Sequence, residues 1–182
     1  MSVKEVVSQL NVQILPLNEG DIQQLEPILL QHVKNRLTDE IEYGEIEEIK
    51  DCTRGGKDSH GRVRKYLVAK DESGKVWGCM GYAEPDPDMK KHFGVDGSRE
   101  TELLNTFVAS EMFRGGGIGR KLFEAVCETV KKGGKEVLLI NSGPRYQKSW
   151  GFYDKMGCEP CGFIIGKYGL DGDAKTWRKV LI

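Results

Sequence analysis

Arg114, Gly115, Gly116, Gly117 and Gly119 fall within six consecutive positions, between the apolar stretch Phe107-Val108-Ala109 and a helical repeat of Ile118, Leu122, Val126 and Val130. Glycines lack a β-carbon, so this turn can take left-handed angles and let its N–H groups converge on one point. The following repeat makes the turn a helix N-terminus, where unpaired amides and the positive end of the helix dipole favour a phosphate. Which phosphate site it is follows from what the spacing lacks. A P-loop ends in Gly-Lys-Ser/Thr, whereas Gly119 is followed by Arg120 and Lys121. The dinucleotide fingerprint G-x-G-x-x-G ends on Arg120 when started at Gly115 and on Leu122 when started at Gly117, so it fails in both registers. What remains is Arg114-x-x-Gly117-x-Gly119, with an unliganded strand-to-helix turn as the plainer alternative.

The elements that must position this turn can be read on either side of it. Thr101 to Ala109 is a strand that delivers the chain to the glycines, and Gly133-Gly134 stops the helix that leaves them. Glu136 to Ile140 reads as a short buried strand, so the β-turn-α-β unit implies locally parallel neighbours. Asn141 to Pro144 makes a turn, and a helix follows to about Met156 with Tyr146, Trp150, Tyr153 and Met156 on one face, capped by Gly157. Two last strands, near Cys161 to Ile165 and Thr176 to Ile182, close an antiparallel edge. Upstream, Asn11 to Leu17 is a strand, and Asp21 caps a helix whose stripe is Ile22, Leu25, Ile28, Leu29 and Val33. A weaker helix runs from about Thr38 to Lys50, with Asp39, Glu40, Glu42, Glu45, Glu47 and Glu48 on an acidic face. Residues 53–65 form a basic loop holding Arg54, Lys57, Arg62, Arg64 and Lys65. Tyr66 to Lys70 and Val76 to Ala83 make a hairpin about Asp71-Glu72-Ser73-Gly74, ended by Pro85-Asp86-Pro87 and a polar run to Arg99.

The 182 residues suit one domain with a substantial core, and no repeat or linker divides them. A formal charge of −1 and a pI near 6.3 supply no basic field for nonspecific nucleic-acid binding. The longest aliphatic run, Val137 to Ile140, is far below a membrane span, and the N-terminus lacks a signal-peptide core, so a cytoplasmic protein with no membrane partner is expected. Five scattered cysteines argue against a disulfide framework. Cys158-x-x-Cys161 lacks a second pair of ligands, so no metal is expected.

The order β-α-α-β-β-β-α-β-α-β-β, together with Arg114-x-x-Gly117-x-Gly119, resembles the GNAT superfamily of acyl-CoA-dependent N-acetyltransferases, whose pyrophosphate motif is R/Q-x-x-G-x-G/A. Phe152-Tyr153-Asp154-Lys155-Met156-Gly157 resembles the F-Y-E-K-L-G segment of the same superfamily. The resemblance spans nearly the whole chain. It implies an α/β GNAT fold over residues 1–182, with a mixed, mostly antiparallel central sheet, flanking helices and a locally parallel pair of strands splayed around the cofactor. One departure is Cys158-Glu159-Pro160-Cys161, where a phenylalanine usually comes first; the proline suggests a strand that starts late or lies at an edge.

Acetyl transfer from a thioester to an amine needs a held donor, a neutral amine and a proton for the departing thiolate. The resemblance assigns the acetyl-CoA cosubstrate to Phe107, Val108 and Ala109 at the strand end, to Arg114, Gly115, Gly116, Gly117, Ile118, Gly119 and Arg120 around the pyrophosphate, and to Asn141 beside the pantetheine arm. Backbone N–H of Val108 or Ala109 would polarise the thioester carbonyl, and Arg114 and Arg120 would add charge-assisted bonds. An amine of pKa near 10.4 is neutral about one time in 2,500 at pH 7, a handicap of about 4.6 kcal/mol, so a base is useful. Glu102 is the candidate base. The stretch from Val108 to Arg114 is one residue longer than the usual V-x-P-x-x-R, so a bulge either absorbs the extra residue or turns Glu102 away. Tyr153 is the candidate general acid, with core packing beside Tyr146 and Trp150 as its alternative.

The expected activity is therefore direct acetyl transfer in a ternary complex. The alternative is a non-catalytic acyl-CoA-binding or regulatory domain of the same fold. The acidic face suggests a small-molecule amine or lysine-like acceptor, whereas the basic loop would favour an acceptor bearing a carboxylate. The sequence leaves a homodimer open.

Overall fold

A computed structural model of the chain describes residues 11–110 and 117–182. Arg114, Gly115 and Gly116 lie outside the described residues. Among the described residues seven strands run in sequence as β1 (Val12–Pro16), β2 (Lys65–Asp71), β3 (Val76–Ala83), β4 (Glu100–Val108), β5 (Val137–Ser142), β6 (Glu159–Ile164) and β7 (Ala174–Val180). They form one mixed sheet in the order β1-β2-β3-β4-β5-β7-β6. β1 with β2, β2 with β3, β5 with β7 and β6 with β7 are antiparallel. β4 and β5 are parallel, from Glu100↔Val137 to Leu103↔Ile140, as the short β-turn-α-β unit implies. β6 is the terminal strand. Pro160 sits there opposite Trp177, and the register shifts between Pro160 and Phe163, so an edge position accommodates the missing N–H.

The helices are α1 (Ile22–His32), α2 (Tyr43–Thr53), α3 (Pro87–Phe93), α4 (Ile118–Lys132) and α5 (Trp150–Lys155). Ile22, Leu25, Ile28 and Leu29 form the buried stripe of α1. α2 starts later than the expected Thr38. Asn35 Oδ1 accepts from the N–H groups of Leu37 and Thr38, Asp39 takes φ 60°, and Lys34 bridges Ile41, so the backbone is spent on a turn before the helix can begin. α3 interrupts what the sequence presents as a polar run. Asp86 Oδ1 accepts from Met89 N at 2.8 Å, Pro87 occupies the first turn, and Gly94 ends the helix at φ 64°. The expected helix to Met156 is two pieces, a 3-10 segment Pro144–Ser149 and then α5.

The described residues gather into two compact units. One takes those up to Lys34, Glu40–Tyr82 and Asn105–Val126; the other takes Asn35–Asp39, Ala83–Leu104 and Cys127–Ile182. In the first, Leu25, Leu29, Ile46, Ile49, Val68, Met80, Leu122 and Phe123 are buried, each contributing about 1.5–3 kcal/mol of apolar transfer. In the second, Trp177, Met89, Leu138, Leu139 and Ile140 do the same, and the indole N–H of Trp177 is satisfied by Asp154 at 2.8 Å.

Within the first unit, Asn105 takes φ 44° in the middle of β4, a left-handed conformation that asparagine tolerates better than most residues. Two donors hold it: Arg64 Nη1 and the Tyr66 hydroxyl both reach Asn105 Oδ1 at 2.9 Å. Arg64 is itself fixed by Asp58 at 3.0 Å. Burial opposes the charge on Asp58, but the Arg62 backbone N–H and the Arg62 and Arg64 guanidinium groups prevail and hold its carboxyl at about 2. A depressed carboxylate contributes stability above its unfolded value of 3.8 and loses it as pH falls toward about 2, at most about 2 kcal/mol in all. Thermal melts should therefore show the wild type losing its advantage over Asp58→Asn as the pH falls through that window. A constant difference at every pH would contradict this assignment.

Candidate active site

At the end of β4, in the first unit, Phe107 is buried and its ring lies nearly parallel to that of His32, 5.9 Å away. His32 Nε2 lies 2.7 Å from the Val108 carbonyl, and because a carbonyl only accepts, Nε2 carries the hydrogen. Burial lowers the pKa of His32, and Lys34 adds to this against the bond to Val108, so the ring is neutral at pH 7. Beside it, Gln31 Oε1 accepts from both the backbone N–H and the hydroxyl of Ser110, at 2.8 and 2.9 Å. The C-terminal turn of α1 thus fixes the backbone of residues 107–110.

The two amides expected to polarise a thioester carbonyl are not equivalent. Ala109 N–H donates to the Trp77 carbonyl on β3 at 2.9 Å and is already committed. Strand alternation turns the N–H of Val108 toward the opposite edge of β4, away from β3. Gly78 on β3 keeps this arrangement close, since a β-carbon there would stand 2.8 Å from the Phe107 carbonyl oxygen.

Gly117 takes φ 61°, the left-handed angle that the glycine turn suggests, and among the described residues no atom lies within 4 Å of where its β-carbon would stand. The first intrahelical bond of α4 runs from Lys121 N to Gly117 O at 3.0 Å. The N–H groups of Ile118, Gly119 and Arg120 precede it, and helix geometry gives them no intrahelical acceptor. Ile118 is buried and anchors the turn, while Arg120 is exposed. This end of α4 fits a phosphate group: open space among the described residues, N–H groups without an intrahelical acceptor and the positive helix terminus coincide.

In the second unit, Glu102 on β4 faces inward, 1% exposed. Its Oε2 accepts from Asp86 N and its Oε1 from Asn141 Nδ2, both at 2.8 Å. Asn141 Oδ1 in turn accepts from the Tyr168 hydroxyl. Burial leads in pushing the Tyr168 phenol up, with the charges of Glu102 and Asp86 and the neighbouring Tyr146 and Tyr153 adding to it. Tyr153 is buried against Trp177, ring centres 4.9 Å apart, and against Phe152 at 5.4 Å. Glu102, Asn141 and Tyr153, chosen from sequence, thus share a unit with Tyr168, which sequence reasoning passed over. Gln31 and His32 of the first unit are likewise not legible in the sequence: no spacing rule connects a helix end to a strand end more than 70 residues away.

The acidic helix and the basic loop, which suggest opposite acceptors, partly neutralise one another. Arg64 pairs with Glu48 at 3.3 Å, Ser59 N donates to the same carboxylate, and Arg54 lies 3.7 Å from Asp51. Lys50 takes Glu47 and Glu26. Cys158 and Cys161 are free thiols, and burial pushes Cys158 up to about 12. No helix among the described residues is long and apolar enough to cross a membrane.

Residues 30–158 match the model of the acetyltransferase (GNAT) family. Solved structures agree in fold. A GNAT-family acetyltransferase from Staphylococcus aureus Mu50 shares 17% identity at a TM-score of 0.68, over 94% of this chain and 100% of that one. A ribosomal-protein-alanine N-acetyltransferase from Brucella melitensis shares 26% identity at 0.64, over 92% and 99%. A spermidine/spermine N-acetyltransferase from Vibrio cholerae, in complex with manganese ions, shares 14% at 0.62, over 96% and 95%. No match was found among curated proteins. The mixed sheet, its parallel pair and the family match together define the class: the chain belongs to the GNAT acetyltransferase family.

Proposed function

We propose that residues 1–182 are one N-acetyltransferase domain that moves an acetyl group from acetyl-CoA to a primary amine by direct attack. The observation that carries this reading is the buried Glu102 carboxylate on β4, held by the backbone N–H of Asp86 and by the side chain of Asn141 on the parallel neighbour β5. As a carboxylate it can take a proton from the amine directly or through one water.

The amine lone pair forms the new C–N bond at the thioester carbon, and Val108 N–H holds the developing oxyanion. As the C–S bond breaks, the Tyr153 phenol protonates the departing thiolate, and the amine proton passes to Glu102. The products are the N-acetyl amine and CoA thiol. Arg114, Gly115, Gly116, Gly117, Ile118, Gly119 and Arg120 hold the pyrophosphate. Asn141, its side chain committed to Glu102 and Tyr168, orients the base in addition to lining the pantetheine arm.

A screen of polyamines, amino acids and basic peptides with acetyl-CoA, read by thiol release at low and high salt, tests the reading. Transfer to a cationic amine with a KM that rises with salt is the expected result. Because Glu48 and Asp51 already have cationic partners, the rise should be modest. A clear preference for an anionic acceptor would remove the acidic face from the account. CoA binding with no transfer to any amine would favour the non-catalytic alternative.

A further inference from the structure

Residues 166–173, between β6 and β7, are tied both to Asp86 ahead of α3 and to the turn that follows β5. Lys167 Nζ reaches Asp86 at 2.6 Å, with both side chains buried. Asp171 lies 3.5 Å from Arg145. The Tyr168 ring covers Gly143 so closely that a β-carbon there would stand 2.8 Å from Cδ2 and 3.0 Å from Cε2. Gly143 is therefore the residue that lets the ring come this close to the backbone.

The direction of each hydrogen bond in the chain beyond that ring follows from donor and acceptor chemistry. Glu102 as a carboxylate only accepts, so the Asn141 amide must turn its NH2 toward it, as it does at 2.8 Å. That leaves Asn141 Oδ1 facing Tyr168, and an amide oxygen can only accept. The single phenolic hydrogen of Tyr168 is thus spent inward. Only lone pairs remain for anything arriving from outside, where 42% of the residue is exposed.

We infer that Tyr168 is a specificity residue for the acceptor: with its proton committed to Asn141, its oxygen receives an N–H of the incoming amine and holds that nitrogen beside the Glu102–Asn141 pair. The inference rests on the proposed acetyl transfer, and it adds the group that recognises the acceptor. A donor-bearing nitrogen is favoured at this oxygen, whereas an ester, ether or carboxylate oxygen would meet lone pairs with lone pairs. The neighbouring Tyr153 phenol keeps its separate task as acid toward the thiolate.

The test compares Tyr168→Phe, Gly143→Ala and Asp171→Asn with wild type, using the best amine from the screen. Tyr168→Phe is expected to raise the amine KM about tenfold, as for one lost hydrogen bond, with the CoA affinity measured by calorimetry unchanged. Gly143→Ala keeps the phenol and displaces its ring, so it should raise KM similarly, and the double variant should be no worse than either single one. Asp171→Asn loosens the loop without touching the phenol and should leave KM near wild type. An unchanged KM in Tyr168→Phe would overturn the inference, as would an equal rise in Asp171→Asn or a matching loss of CoA affinity. If the wild type acetylates no amine, the transferase reading itself fails. The inference is then read by calorimetry of spermidine with the CoA-bound protein: tighter binding to wild type than to Tyr168→Phe upholds it, and equal or absent binding overturns it.

Discussion

Tyr153→Phe is expected to lower turnover about 10²-fold, the effect of losing a general acid. The ring would keep its place against Trp177 and Phe152, since only the hydroxyl is removed. A single lost hydroxyl interaction costs about 1 kcal/mol, so the melting temperature should fall by no more than about 4 °C. The two readings of this residue, acid and packing, therefore separate on one variant. Stopped-flow measurement of thiol release beside a thermal melt decides between them. A parallel fall in stability and activity would assign Tyr153 to the aromatic cluster alone.

The second large effect is expected at Gly117. Its φ of 61° costs any residue with a β-carbon about 1–2 kcal/mol, and that β-carbon would enter the open space at the start of α4. Gly117→Ala should weaken CoA binding by about tenfold or more, with a smaller loss for analogues that lack the phosphates. Calorimetry with CoA and with dephosphorylated analogues measures this. Equal affinity in wild type and variant would remove the helix terminus from the site, and the phosphate cradle with it.

The parts of this molecule legible in its sequence are those governed by short-range rules. The stripe of α1, the parallel β4–β5 pair and the left-handed angle at Gly117 each follow from spacing or from one residue type. α3 is legible too, in Asp86, Pro87 and Gly94, but the four alternating prolines and aspartates from Pro85 to Asp88 read first as a loop. The extra residue between Val108 and Arg114 left two outcomes open for Glu102. Its side chain is turned inward, and Asn105 supplies an irregularity in the same strand. What no local rule could supply is pairing at long range. Ala109 is excluded as an oxyanion donor by a carbonyl on β3, and the Glu102–Asn141–Tyr168 chain joins residues as much as 66 positions apart, each of an ordinary type for its own segment. The weight of the acidic helix was hidden for the same reason, because its charge in isolation is not its charge beside Arg64 and Arg54.

The central claim is that this chain transfers an acetyl group, and a single-turnover experiment tests it most directly. Enzyme in excess over acetyl-labelled acetyl-CoA is mixed with a saturating primary amine and quenched over time, with label followed in cosubstrate, protein and amine. The account predicts label passing into the N-acetyl amine at the rate at which CoA thiol appears, with none accumulating on the protein. Label that stays on CoA, bound but unmoved with every amine, would contradict it.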